Sequence, residues 1–433
     1  MRRSPYDKEI LRLALPALGA LAAEPLYILV DTAIVGHLGR PQIAALGLAG
    51  TVLAGAFTIF NFLTYGTTAV VARASGAGQD RAAAGIAAQA LWVALAIGVG
   101  LVIMAEVLGE PALDALGGHG RSGHYALVYM QIAALGLPSA LIALAGQGYL
   151  RGVSNLRRPF VIVVIGNGVN IVLEVLFVYG FHWGIAGAAA GTAIAQTGMG
   201  IAFVRELLKP PADTRRPRLS QMRPLVRVGR QIFVRTAALY ASFLVAASML
   251  ARIGDAELGA HQIAFQLFQF LALILDAVAI AAQVIVGRML GAGDAAGAYV
   301  AATRMIFWST LLGLTFGLIL LPLGDVIPRA FTDDPAVLDR AREIWPLFAL
   351  MQPIGGAVFA LDGILIGASD TSFLMWSMLA ASVFVYIPIA VASLAAGWGI
   401  VGVWSGLVAL LAARLALLGA RFVGRRWAVV GWA

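Results

Sequence analysis

Asp31 and Glu174 are carboxylates set in long apolar runs, where burying a charge in a membrane costs on the order of 3 kcal/mol. Polar residues recur around each at helical spacing. Tyr27 stands four residues before Asp31 and Glu24 seven before, on one helix face. Asn170 and Asn167 stand four and seven residues before Glu174, forming a second one-sided stripe. Thr192 and Gln196, four apart, add a hydroxyl and an amide oxygen from a third run. The candidate cluster is Asp31, Asn170, Glu174 and Thr192, with Tyr27 at its rim. Two carboxylates in one low-dielectric pocket repel when both are charged. A proton on one of them relieves that repulsion, and so does a hard cation such as sodium held by both through oxygen. The expected chemistry is reversible binding of a proton or a hard cation, with no cofactor.

A different pattern occupies a later run. Gln262, Gln269, Asp276 and Gln283 fall at intervals of seven, with Gln266 beside them. Such a stripe avoids lipid and so faces a cavity or a neighbouring helix. Arg235 is expected to neutralise Asp276, and Asp362 is a further intramembrane carboxylate. These residues, with Asn167 and Gln196, are the candidates for a substrate cavity. The five histidines show no ligand spacing, and His261 reads as a hydrogen-bonded residue near a helix end.

The elements that hold these groups are membrane helices. The chain is 61% hydrophobic and 12% charged, about half the charge of an ordinary soluble domain, and its mean hydropathy is +0.89. Twelve spans are expected, at 10–36, 42–72, 82–108, 123–150, 158–180, 185–208, 222–251, 257–287, 296–321, 337–366, 372–396 and 399–424. The fold expected is an all-α polytopic membrane protein. No cysteine is present, which excludes disulfides and thiolate chemistry. The net charge of +8 sorts by loop: one side collects 22 basic residues, among them Arg2 and Arg3, and the other six. By the positive-inside rule both termini are cytoplasmic. The basic excess therefore reports topology, with anionic membrane lipid a secondary partner and nucleic acid not expected. The expected location is the plasma membrane of a prokaryote, and a monomer is expected.

The sequence also repeats itself. Gly184–Gly191 (GIAGAAAG) returns 215 positions later as Gly399–Gly406 (GIVGVWSG). The same shift carries Pro138 to Pro353, and Gly148, Gly152, Ser154 and Asn155 to Gly363, Gly367, Ser369 and Asp370. Arg73, Gly76 and Gly78 map onto Arg288, Gly291 and Gly293. Two parallel six-helix lobes, 1–208 and 222–433, are expected around a central cavity, joined by a cytoplasmic linker at 209–221. The site is not repeated: the shift turns Asp31, Asn170, Glu174 and Thr192 into Ala246, Val385, Ile389 and Leu407.

Enzyme signatures are missing. The chain has no Walker A loop, no His-Glu-xx-His and no Gly-x-Ser-x-Gly. Transport without an ATP site draws on an ion gradient. Leu29–Gly39 (LVDTAIVGHLG) resembles the first-span motif of the multidrug and toxic compound extrusion (MATE) transporters. Gln231–Thr236 (QIFVRT) and Leu275–Ala281 (LDAVAIA) are similar to that family's DNA-damage-inducible F (DinF) branch. The resemblance covers essentially the whole chain. It implies efflux of amphipathic, often cationic compounds in exchange for protons or sodium ions. It also implies a first-lobe site of an Asp, an Asn and Asp four apart, and a Thr, matched here by Asp31, Asn170, Glu174 and Thr192, with Glu174 departing from the usual Asp. The expected cycle is alternating access by rocking of the lobes. The alternatives are a flippase for a lipid-linked sugar or phospholipid, disfavoured because only Arg235 and Arg414 lie inside spans, and a gated channel.

Overall fold

The computed structural model describes residues 5–432, apart from the side chains at 5, 54 and 56–59. Arg2 and Arg3 lie outside the described residues. The first half contains α1 (Pro5–Gly36), α2 (Arg40–Phe60), α3 (Phe62–Gly76), α4 (Asp80–Ala115), α5 (Gly120–Ala134), α6 (Leu137–Gly152), α7 (Arg157–Val175) and α8 (Gly184–Leu208). The second contains α9 (Leu219–Ile253), α10 (Asp255–Gly291), α11 (Ala295–Leu320), α12 (Pro335–Gly367), α13 (Thr371–Ala380), α14 (Ile387–Ala395) and α15 (Gly399–Val423). No strand occurs among the described residues. Among the described residues, ten helices are long and apolar enough to cross a membrane, counting α13–α14 as one and α7 together with the turn that follows it. The pair α5–α6, bent by 51°, makes an eleventh. The remaining expected span, 42–72, falls on α2 and α3, which break at Asn61.

Element bounds repeat with the sequence. Arg40–Gly76 and Asp255–Gly291, Gly120–Gly152 and Pro335–Gly367, and Gly184–Leu208 and Gly399–Val423 each begin and end 215 residues apart. The paired anchor residues have a steric origin. A Cβ on Gly98 would lie 2.4 Å from the Pro138 Cα, and one on its mate Gly313 would lie 2.2 Å from the Gln352 carbonyl beside Pro353. On Gly148 and Gly363 it would strike the carbonyls of Thr64 and Ala279, themselves mates, at 2.6 and 2.2 Å. Small residues thus let backbones touch where lipid provides no hydrophobic drive between helices. Ser154 and Ser369 both turn through positive φ, 61° and 60°.

By packing, the chain forms two compact units: Gly19–Gly229, and Met1–Leu18 with Arg230–Ala433. These bounds differ from 1–208 and 222–433. The beginning of α1 is held in the second unit by charge: Arg304 grips the Asp7 carboxylate with two bonds of 2.7 and 2.9 Å, and Arg288 donates to Glu9 at 2.6 Å. The candidate cluster lies wholly in the first unit.

Candidate ion site

In the unit Gly19–Gly229, α1, α5, α7 and α8 bring Asp31, Tyr129, Asn170, Glu174 and Thr192 into one buried cluster. The Thr192 hydroxyl lies 3.3 Å from Glu174 Oε1 and 3.1 Å from its own helix's Ala188 carbonyl. The Tyr27 hydroxyl reaches Thr192 Oγ1 at 3.1 Å and Glu174 Oε1 at 3.4 Å. The carboxyl groups of Asp31 and Glu174 adjoin, and the Tyr129 hydroxyl reaches Asp31. Three oxygens are left over: Asp31 Oδ1, Asn170 Oδ1 and Glu174 Oε2 are buried with no hydrogen-bond partner among the described residues. Buried polar atoms are nearly always paired, so three such orphans, two on neighbouring turns of α7, set this region apart from an ordinary packed core.

The Gly-xxx-Gly step of α8 explains how Glu174 is seated. A Cβ on Gly187 would meet the Phe177 carbonyl carbon at 2.9 Å, and one on Gly191 would meet the Glu174 nitrogen and Cγ at 3.1 Å. The step therefore lets α8 lie directly on the part of α7 that carries the carboxylate. Gly191→Ala should push the two helices apart by a few tenths of an ångström and lengthen the Thr192–Glu174 contact. Efflux should fall several-fold, with a stability loss of about 1 kcal/mol in a thermal unfolding assay. Normal efflux from this variant would show that close seating is dispensable.

α7 also grips the main chain of α1 on both sides of Asp31. Asn167 Nδ2 donates to the Ala23 carbonyl at 3.1 Å, and the Tyr179 hydroxyl donates to the Ile34 carbonyl at 2.7 Å. Asn167, Glu174 and Tyr179 all reach α1, although Tyr179 is five residues past Glu174 and would sit about 140° round a regular α-helix from it. A wide π-helical turn at Leu176–Gly180, closed by Phe181 N–H to the Leu176 carbonyl at 2.9 Å, restores the alignment. Beside this stretch of α1 lies an open cavity of about 450 Å³, lined by Leu29, Val30, Ala33, Ile34, His37 and Tyr179.

The other sequence candidates are placed as follows. Asn167 is half-buried and spent on α1. Gln196 is half-buried against Gly136, its Oε1 unpartnered among the described residues. Glu24 is exposed and apart from the cluster's hydrogen bonds. On α10, Gln262 and Gln266 are exposed, Gln269 and Asp276 half-buried and Gln283 buried. They belong to the other unit.

Two expectations are corrected. Arg235 bonds Asp362, not Asp276, as its ion-pair partner. Arg414 grips the same Asp362 through Oδ1 at 2.6 Å and Oδ2 at 2.8 Å, so one carboxylate holds two guanidinium groups. His261 stands near a helix end, as expected, but its Nδ1 makes no hydrogen bond among the described residues. It is buried in the second turn of α10, ring-stacked on Phe265. Tyr129 and Tyr179 escaped the sequence reading. Tyr179 belongs to no polar stripe, and Tyr129 follows Tyr125 by four and Ser122 by seven on a face that carries no carboxylate.

Comparison with known proteins places this arrangement. The MatE family model matches residues 16–176 and again 232–411, two matches that begin 216 residues apart. The chain is 31% identical to Protein DETOXIFICATION 44, chloroplastic, of Arabidopsis thaliana, over 96% of this chain and 82% of that one. It is 30% identical to DNA damage-inducible protein F of Escherichia coli (strain K12), over 87% and 84%. Its fold is similar to that of a multidrug resistance MATE family transporter of the MOP superfamily solved in an outward-facing conformation, with a TM-score of 0.85 at 21% identity, over 98% of this chain and 97% of that one. The chain belongs to the MatE family and is a multi-pass membrane transporter, not an enzyme.

Proposed function

We propose that this transporter exports amphipathic, often cationic compounds by antiport, and that the exchanged ion binds at Asp31, Asn170, Glu174 and Thr192. The observation that carries this reading is the set of three buried, unpartnered oxygens in one cluster. A proton fits them most simply: shared between the adjoining Asp31 and Glu174 carboxyls, it removes their repulsion and supplies the missing donor. A sodium ion, held by the same oxygens with the Thr192 hydroxyl, is the other candidate. The cavity along Leu29–His37 gives an apolar compound walls one residue from Asp31. Its volume is within the range of small-molecule sites.

Coupling follows if ion and compound bind with opposing preference, since that linkage is reciprocal. Loading the cluster neutralises it and weakens the hold on the compound, which leaves outward. The protein then returns inward and the ion dissociates to the cytoplasm, completing alternating access. The two repeats act as the lobes of this cycle, in the plasma membrane of a prokaryote, with both termini cytoplasmic and a single chain as the working unit. The test is efflux of a panel of fluorescent cations from proteoliposomes under separately imposed proton and sodium gradients. A proton gradient alone should drive saturable export. Export that ignores both gradients, or single-channel conductance, would overturn antiport.

A further inference from the structure

The connection between α8 and α9 is not a slack linker. Its main chain is fastened to α4. Gln89, 0% exposed, donates Nε2 to the Arg216 carbonyl at 3.0 Å and accepts the Arg218 N–H on Oε1 at 2.8 Å. Trp92 Nε1 donates to the Arg215 carbonyl at 2.9 Å, and Asp213 N–H donates to the Arg81 carbonyl at 3.3 Å. Gly85 leaves room for the strap, with Thr214 O 3.6 Å from where its Cβ would stand. Arg215 folds back on the carbonyls of Leu208 and Pro210 at 2.9 and 2.7 Å.

The side chains are a different matter. Arg216, Arg218, Arg223 and Arg227 are exposed, and their guanidinium groups have no partner among the described residues. The nearby acids do not neutralise them. Glu206 is engaged by Arg158 and Lys209, and Asp213 is a single exposed carboxylate. Arg223 and Arg227 are four apart on the first turns of α9, so they share a face.

Depth identifies the ligand. α4 is uncharged from Ala82 to Ala105, a stretch of about 36 Å against a hydrocarbon core of ~30 Å. The strap crosses it at Gln89 and Trp92, seven and ten residues in. Those positions are about 10 and 15 Å along the helix from the start of that stretch, so the exposed arginines extend their long stems outward to reach headgroup level, beside the half-exposed Trp92 and the exposed Leu219. We propose that this strap is a binding site for anionic phospholipid, with its backbone pinned by Gln89 so that the guanidinium groups of Arg216, Arg218, Arg223 and Arg227 meet lipid phosphate. Each guanidinium offers forked donors to phosphate oxygens, and Trp92 and Leu219 lie against the upper acyl chain.

The test is lipid binding by the full-length protein in detergent, titrated with phosphatidylglycerol or phosphatidylcholine and read by native mass spectrometry. The wild type should prefer phosphatidylglycerol. Arg216→Gln with Arg218→Gln, at exposed positions that leave packing alone, should weaken that preference on the order of twenty-fold, about fivefold per arginine. Gln89→Leu, which keeps every charge, should lose much of it as well, and Arg40→Gln should keep it. An unchanged preference in the double arginine variant would overturn the site. A Gln89→Leu variant that folds and binds as the wild type would overturn the role of the pinned strap. Full displacement of the lipid by an equal concentration of inorganic phosphate would show a free-anion site instead.

Discussion

Asp31→Asn should leave the protein folded and abolish its coupling. The amide keeps the shape of the carboxyl group and removes the repulsion it exerts on Glu174, so thermal unfolding in detergent should be unchanged or shifted slightly upward. Gradient-driven efflux from proteoliposomes should fall on the order of 10- to 100-fold, the span of a typical coupling free energy. The reason lies in the orphaned oxygens. An amide at position 31 cannot take up and release a proton, and it places a neutral donor where a cation would need a charge. Undiminished gradient-driven efflux by this variant would remove Asp31 from the mechanism.

The same exchange at Asp362 should do the opposite. Asp362 is buried and holds both Arg235 and Arg414. Losing its charge leaves two guanidinium groups facing each other inside a membrane helix bundle, each with an unpartnered Nε already. Breaking a buried ion pair from one side costs about 3–5 kcal/mol, so Asp362→Asn should unfold at a markedly lower temperature. Replacing all three residues with leucine should recover most of that loss, because the cost lies in stranded charge, not in lost packing. A melting profile like that of the wild type for Asp362→Asn would show that the bundle solvates these arginines by another route. One substitution at two sites thus separates a carboxylate kept for its titration from one kept for its charge.

Sequence periodicity reached the first of these sites well and the second poorly. Asp31, Asn170, Glu174 and Thr192 announced themselves because each sits on a polar stripe with a regular period, and a stripe in a membrane helix must turn inward. Tyr129 follows Tyr125 by four and Ser122 by seven, but α5 holds no carboxylate, so nothing in it pointed to Asp31. The partner of Arg235 was misassigned because Asp276 and Asp362 are equally plausible along the chain. Only the ion pairs that link α9, α12 and α15 through Asp362 decide between them. The repeat was legible down to element ends because its anchors are glycines at close backbone contacts, such as Gly148 and Gly363, and glycines or serines at left-handed turns, such as Gly184, Gly399, Ser154 and Ser369. The break at Asn61 was not, since its mate Asp276 lies within the unbroken α10.

The wide turns carry a consequence for that repeat. The turn that follows α7 closes after Glu174, at Leu176–Gly180. The one between α13 and α14 closes earlier in its span, at Ala381–Tyr386 beside Pro388, which corresponds to positions 166–171 of the first half. A π-helical turn is in effect one residue added to the pitch of a screw. From one wide turn to the other, the two copies therefore run about a residue out of phase, although their numbering stays in step. Glu174 and Ile389 fall inside that interval. A glutamate transplanted to position 389 would therefore stand on a thread already advanced, turned away from partners placed at 246 and 407 on helices that carry no such shift.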